Sequence, residues 1–149
     1  MKRPVSFYLL EIVLILQVFS GLYGGLSLIF DSSGAGLGMK VAQLHSIFPS
    51  FLIPGLVLTI LLSLLPLFIF MVLIFQPKWM WPERINLFHN FYWGWTFALY
   101  VGIMLIIWID IQLLVVQEYI FLQPVFSLVG VTIVILVLWP SNRLYFSKI

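Results

Sequence analysis

Residues 50–75, SFLIPGLVLTILLSLLPLFIFMVLIF, contain no charged side chain. Such a run is long enough to cross a bilayer, whose hydrocarbon core of about 30 Å takes about 20 apolar residues in a helix. The rest of the chain extends the same constraint. Of its 149 residues 63% are hydrophobic and only 8% are charged, whereas about a quarter of a soluble domain is charged. The expectation is a single transmembrane domain covering residues 1–149 in the plasma (inner) membrane. The formal charge is +2 and the sequence pI about 9.0, but the basic residues flank apolar runs, where orientation during insertion accounts for them. Nucleic acid is therefore not implied as a partner. The absence of cysteine excludes thiol catalysis, disulfide relays and sulfur-ligated metal sites.

Taken in order, the hydropathy pattern predicts an all-α membrane protein, an antiparallel four-transmembrane-helix bundle with spans at 5–30, 50–75, 85–112 and 119–139. The basic start with Lys2 and Arg3 leads into a run too long for a cleaved secretory signal. Residues 31–49 open on turn-forming Asp, Ser and Gly residues. Within them Leu37, Val41, Leu44 and Phe48 recur at helical spacing, which predicts a short interfacial helix between spans 1 and 2. Residues 76–84 read as a tight basic connection with Trp79 and Trp81 at an interface. Four spans bring both termini to one side, where Lys2, Arg3, Lys78, Arg84, Arg143 and Lys148 also fall, and only Lys40 lies opposite. The positive-inside rule makes that shared side cytoplasmic.

Helices in lipid associate through small residues and through polar side chains that bond across the interface. Span 1 offers Gly21, Gly24 and Gly25 with Gln17 beside them, span 2 offers Gly55, Thr59 and Ser63, and span 4 offers Gln123, Ser127 and Gly130. These are expected helix-packing positions. On span 3, His89, Trp93, Thr96 and Tyr100 align, with Asp110 close to that line.

Two sets of polar residues are candidates for more than packing. An ionisable group inside a span is costly and is usually retained for a reason. Glu11 is such a group, and His89 at a comparable depth in span 3 makes the two a candidate proton-coupling pair, against the alternative of a structural inter-helix bond. The second set is an extracytoplasmic cluster of Asp31, Ser33, Lys40, His45, Asp110 and Gln112, which reads either as turn formation with a polar rim or as the mouth of a pocket for a lipid headgroup or small solute. No spacing marks a nucleophile and its base, so no catalytic residue is assigned. The two histidines fall on opposite sides of the membrane, so no metal site is expected, and no cofactor-binding motif is present.

The segments GGLSLIFDSSGAGLGM (24–39), FLIPGL (51–56) and IIWIDIQ (106–112) resemble small four-span prokaryotic integral membrane proteins of unassigned function. That resemblance implies the same topology and draws attention to Asp31, Ser33, Gly34, Gly38, Pro54, Gly55, Trp108 and Gln112. The layout, with one glutamate in the first span, is also similar to that of small multidrug-resistance exporters, although this chain has an outer loop of a kind they lack. The functional expectation is a non-enzymatic module that binds membrane lipid, another membrane protein or a second copy of itself. The alternative is a homodimeric proton-coupled transporter using Glu11.

Overall fold

The computed structural model describes residues 2–119 and 121–148. Among these the architecture is helical, with no strand beyond one antiparallel bridge between Phe91 and Ser147. Helix α1 is Val5–Phe30, α2 is Leu52–Phe75 and α3 is Trp93–Val116. Helix α4 is Leu122–Leu138, and α5, Pro140–Phe146, departs from it by 59°. Three of these helices are long and apolar enough to cross a membrane, and the bent α4–α5 pair makes a fourth if counted as one span. The bend has a local cause: Trp139 is extended, at φ −58° and ψ 135°, because Pro140 disfavours the helical region for the residue before it.

Helix α2 contains one π turn at Ile60–Leu64, immediately before Pro66. A proline lacks the N–H that would bond the carbonyl four residues back, and its ring crowds that carbonyl. The Leu62 carbonyl is thereby released, and the buried Gln17 of α1 takes it up, Nε2 donating at 3.2 Å. The Ser63 hydroxyl, fully buried, donates to the Leu58 carbonyl at 3.1 Å. The amide N–H of a glutamine within an apolar helix is thus accounted for by a proline on its neighbour, while its Oε1 is buried without a partner among the described residues.

The most extensive pairings are α1 along α2 and α3 along α4, and α1 also packs on α4 while the second half of α2 packs on α3. Small residues set the approach in both pairs. A Cβ on Gly21 would collide with Ser63 Oγ, one on Gly25 with Thr59 Oγ1, and one on Gly55 would stand 2.9 Å from Leu28 Cβ. Gly102 and Gly130 meet reciprocally, an added Cβ on either lying 3.1 or 3.0 Å from the carbonyl oxygen of the other. Gly102, four residues after the fully buried Ala98, carries this contact although it is not among the packing positions expected above. Gly24 lies off the seam, with only a Leu58 methyl at 4.0 Å, and Ser127 is half-buried on α4. The core gathers Phe7, Leu10, Leu14, Leu62, Ile69, Leu73, Trp95, Leu105, Ile133 and Val137, while large apolar side chains such as Ile12, Leu16 and Phe19 on α1 and Ile103, Ile107 and Leu114 on α3 point outward.

The helices meet at two ends. One, the terminal end, brings together the start of α1, the connection 76–92 and α5: the Arg3 guanidinium donates to the Ile74 carbonyl at 2.6 Å and the Tyr92 N–H to the Phe146 carbonyl at 2.8 Å. The other, the loop end, brings the 31–51 segment over the end of α3.

Two expectations from hydropathy need correction. The third helix begins at Trp93 rather than near residue 85, because the backbone groups of the intervening segment are engaged otherwise. The Asn86 side chain accepts from the Phe88 N–H and donates to the Phe91 carbonyl, and the Lys148 N–H donates to the Asn90 carbonyl. The expected interfacial helix in the 31–49 loop is instead two short 3₁₀ turns, Ala35–Leu37 and Val41–Leu44, separated by Gly38 at φ 70°.

Candidate functional site

The loop end is built outward from Asp31, the first residue past α1. Its Oδ1 accepts from the Ser33 hydroxyl at 2.5 Å and the Ser33 N–H at 3.2 Å, and its Oδ2 accepts from the Gly36 N–H at 3.0 Å. An Asx turn of this kind substitutes for backbone pairing where the chain reverses. The Ser33 hydroxyl, and after it the Gly36 N–H, hold the Asp31 carboxyl below the ordinary aspartate range, because both bonds favour the ionised form. The turn then passes through Gly34 at φ 77°, where a Cβ would stand 2.8 Å from the Phe51 ring. Phe51 is buried against Leu28 and Leu44, and its N–H donates to the Ser32 carbonyl at 2.9 Å. One glycine therefore satisfies both a left-handed backbone and a close ring approach.

From this anchor the loop reaches across to the other helix pair. His45 Nδ1 lies 2.9 Å from the Val115 carbonyl near the end of α3, which places its proton on Nδ1, and Gln43 Nε2 donates to Glu118 at 2.5 Å. Gln43 Oε1 accepts the Lys40 N–H at 2.9 Å, leaving the Lys40 side chain exposed.

The sequence-predicted cluster is gathered only in part. Asp31 and Ser33 bond each other, and Lys40 and His45 belong to the same loop. Asp110 is exposed on α3 and makes no hydrogen bond or ion pair with any described residue, and Gln112 is half-buried two residues nearer the helix end. No hydrogen bond joins Asp31 to Asp110, so the pocket mouth that the two were to flank is not formed by direct contact. The Trp108 indole N–H is buried without a partner among the described residues.

Glu11 is buried on α1, 7% exposed, with neither carboxyl oxygen hydrogen-bonded among the described residues. The expected pairing with His89 is not made. His89 lies outside α3, in the exposed connection at the terminal end, where its carbonyl accepts from Lys148 Nζ at 3.1 Å. The shift of the helix start to Trp93 removes it from Glu11's depth.

Sequence reasoning missed the polar centre of the terminal end. Asn86, 1% exposed, donates through Nδ2 to Glu83 at 3.0 Å and accepts through Oδ1 from the fully buried Thr96 hydroxyl at 2.6 Å. Glu83 also pairs with Lys148 at 2.7 Å. Partial burial pushes the Glu83 carboxyl upward, but the bonds from Lys148 and Asn86 prevail and leave it below the usual glutamate range. Ser6 donates to Asn142 at 3.0 Å, tying α1 to α5. A buried asparagine in a run such as INLFHN was the available signal, since a buried amide normally has its hydrogen-bonding groups engaged. Among the described residues no three His, Asp or Glu side chains converge on a possible metal position.

No protein-family model matches the chain, and comparisons with curated proteins and with solved structures find no match either.

Proposed function

We propose that the chain is an integral membrane protein that crosses the bilayer four times as an antiparallel four-helix bundle. In this reading the terminal end is cytoplasmic, the loop end faces outward, and the protein is a non-enzymatic module that binds a membrane partner or lipid through its outer half. The observation that carries the reading is how the polar groups are spent. Gly21 and Gly25 of α1, Gly55, Thr59 and Ser63 of α2, and Gly102 and Gly130 of α3 and α4 are turned inward to seal the helix pairs, and the Asp31 carboxylate is consumed by its own turn. What remains for a partner is the exposed loop and the largely apolar outer helix faces, which on α3 include Asp110. The likeness to small four-span prokaryotic membrane proteins belongs to the same proposal.

The native chain has no cysteine, so each introduced thiol is a unique reporter of sidedness. A cysteine at Gly36 is expected to react with a membrane-impermeant maleimide in intact cells, and one at Lys148 only after permeabilisation; the reverse pattern overturns the orientation. Native mass spectrometry of the protein in mild detergent is expected to retain lipid or a protein partner. Replacing residues 35–46 by a Gly-Ser linker should release it. A monomer that carries neither would end the module reading.

A second reading, proton-coupled transport, draws on one specific observation, the buried Glu11 carboxyl with both oxygens unpartnered. Its test is proton uptake into proteoliposomes, which Glu11→Gln must abolish while the protein still inserts; uptake that persists in the variant removes the reading.

A further inference from the structure

The outward face of α3 carries Ile103, Ile107, Ile111 and Leu114, all exposed, and among them Asp110, equally exposed. Helix α3 has 24 residues, about 36 Å at ~1.5 Å per residue, against a hydrocarbon core of about 30 Å. Asp110 stands six residues before Val116, about 9 Å along the axis, so a centred helix places its Cα about 6 Å inside the core. Helical Cα–Cβ bonds tilt toward the helix N-terminus, here Trp93 at the opposite end. The short aspartate side chain is thereby directed away from the nearer surface, where a lysine or arginine in the same place could have bent back to the headgroups.

Among the described residues no cation pairs with that carboxylate. Lys2, Arg3, Lys78, Arg84, Arg143 and Lys148 are excluded from every helix that spans, apart from Arg143 in α5 at the terminal end, and Lys40 lies in the loop beyond the helix ends with no ion pair among the described residues. A second copy would bring the same inventory. Resting on the membrane reading above, we propose that the Ile103, Ile107, Asp110, Leu114 face docks a transmembrane helix of a different protein that carries one lysine or arginine at the depth of Asp110. The isoleucines supply the apolar contact and the carboxylate supplies the selectivity. A charge facing acyl chains is costly on either helix alone, and association removes both costs together.

The test uses the full chain in phosphatidylcholine vesicles with a labelled synthetic polyleucine helix bearing one lysine six residues below its outer end, and a twin with leucine there. Resonance energy transfer is expected to show the lysine helix binding about tenfold more tightly than its twin. Asp110→Leu should abolish the preference, and Asp110→Asn should leave an intermediate one, since the amide still accepts a hydrogen bond. Equal binding of the two helices, or a preference that survives Asp110→Leu, overturns the proposal. So does energy transfer between copies of the chain that Asp110→Leu removes, which would assign the face to self-association. Chain retained after an alkaline wash but blind to the lysine defeats the docking proposal alone. Chain released by the wash defeats the membrane reading as well.

Discussion

The two ends of the molecule are closed by opposite means. At the terminal end the central closing groups are buried: Asn86 and Thr96 bond out of reach of solvent, buried Trp95 stacks on half-buried Phe91 at 4.3 Å, and buried Trp93 stacks with half-buried Phe68 and exposed Trp79 at centroid distances of 5.9–6.5 Å. At the loop end Leu28, Leu44 and Phe51 form a small buried cluster, with Val116 and Gln123 also buried, while the polar bonds of Asp31, Lys40, Gln43 and His45 lie at the surface. Buried bonds cannot be exchanged for water without loss, whereas exposed ones exchange almost freely. The terminal end is accordingly the fixed base of the helix set. The loop end is where the chain can open at small cost, which is what a surface that meets a partner requires.

The contrast is broken most severely at Asn86. Replacing it by leucine removes the acceptor for the Thr96 hydroxyl and the Phe88 N–H and the donor to Glu83 and Phe91. The expected loss is about 2–3 kcal/mol, from buried groups left unpaired, read as a lower midpoint in thermal unfolding in detergent micelles. A loss below that of the loop-end variants described next would mean the base is not where the stability resides.

Gly34→Val is the strongest perturbation available at the loop end. It combines a left-handed backbone with a Cβ 2.8 Å from the Phe51 ring, and should cost about 1–2 kcal/mol. Gly38→Ala separates the two causes, because Gly38 has φ 70° but no atom within 4 Å of its would-be Cβ. It should therefore show the backbone penalty alone, about 1 kcal/mol. Equal losses in the two variants would remove the Phe51 contact from the account.

Acid gives a third probe of the loop end. The Asp31 carboxyl is held below the ordinary aspartate range, first by Ser33 and then by Gly36. A depressed folded-state pKa contributes stability that is complete above the unfolded value, about 3.9, and is lost as pH falls through the lower folded value. Hydrogen exchange at the Gly36 amide should thus keep constant protection from neutral pH down to about 4 and lose it below. In Asp31→Asn the loss with acid should vanish, since no ionised acceptor remains to be protonated.

How far these ends could be read from residues alone differs for physical reasons. The start of α1 after Pro4 and its end before Asp31 coincide with local punctuation, and the Gly55, Thr59, Ser63 spacing marks the face that receives Gly21 and Gly25. Local chemistry was enough there. The start of α3 was not legible, because residues 86–92 are withheld from the helix by bonds to Asn86 and to the chain near Phe146 and Lys148, far away in sequence. His89 was assigned to a span for the same reason. Gln17 was placed on a packing face, but its partner, a carbonyl released by Pro66, requires knowing that α1 and α2 touch at that height. Gly102 stands four residues after Ala98, a small-residue spacing of the kind that marks a close-packing face, but its contact with Gly130 is seen only in the structure.

The smallest expected effect is at Gln43 and Glu118, whose 2.5 Å bond ties the loop to the segment after α3. Both side chains are accessible to water, so Glu118→Ala exchanges a protein partner for solvent and should change global stability by no more than about 0.5 kcal/mol. Its local consequence differs. With that bond gone, the loop is held to α3 through the His45 contact with the Val115 carbonyl, and local opening becomes more frequent without any change in the buried base. Exchange should therefore rise at the backbone amides of Gln43 and His45 while those of α3 near Trp95 and Ala98 keep their protection. If both sets accelerate together, the loop and the base open as one unit, and the division between a fixed end and a yielding end has no physical basis.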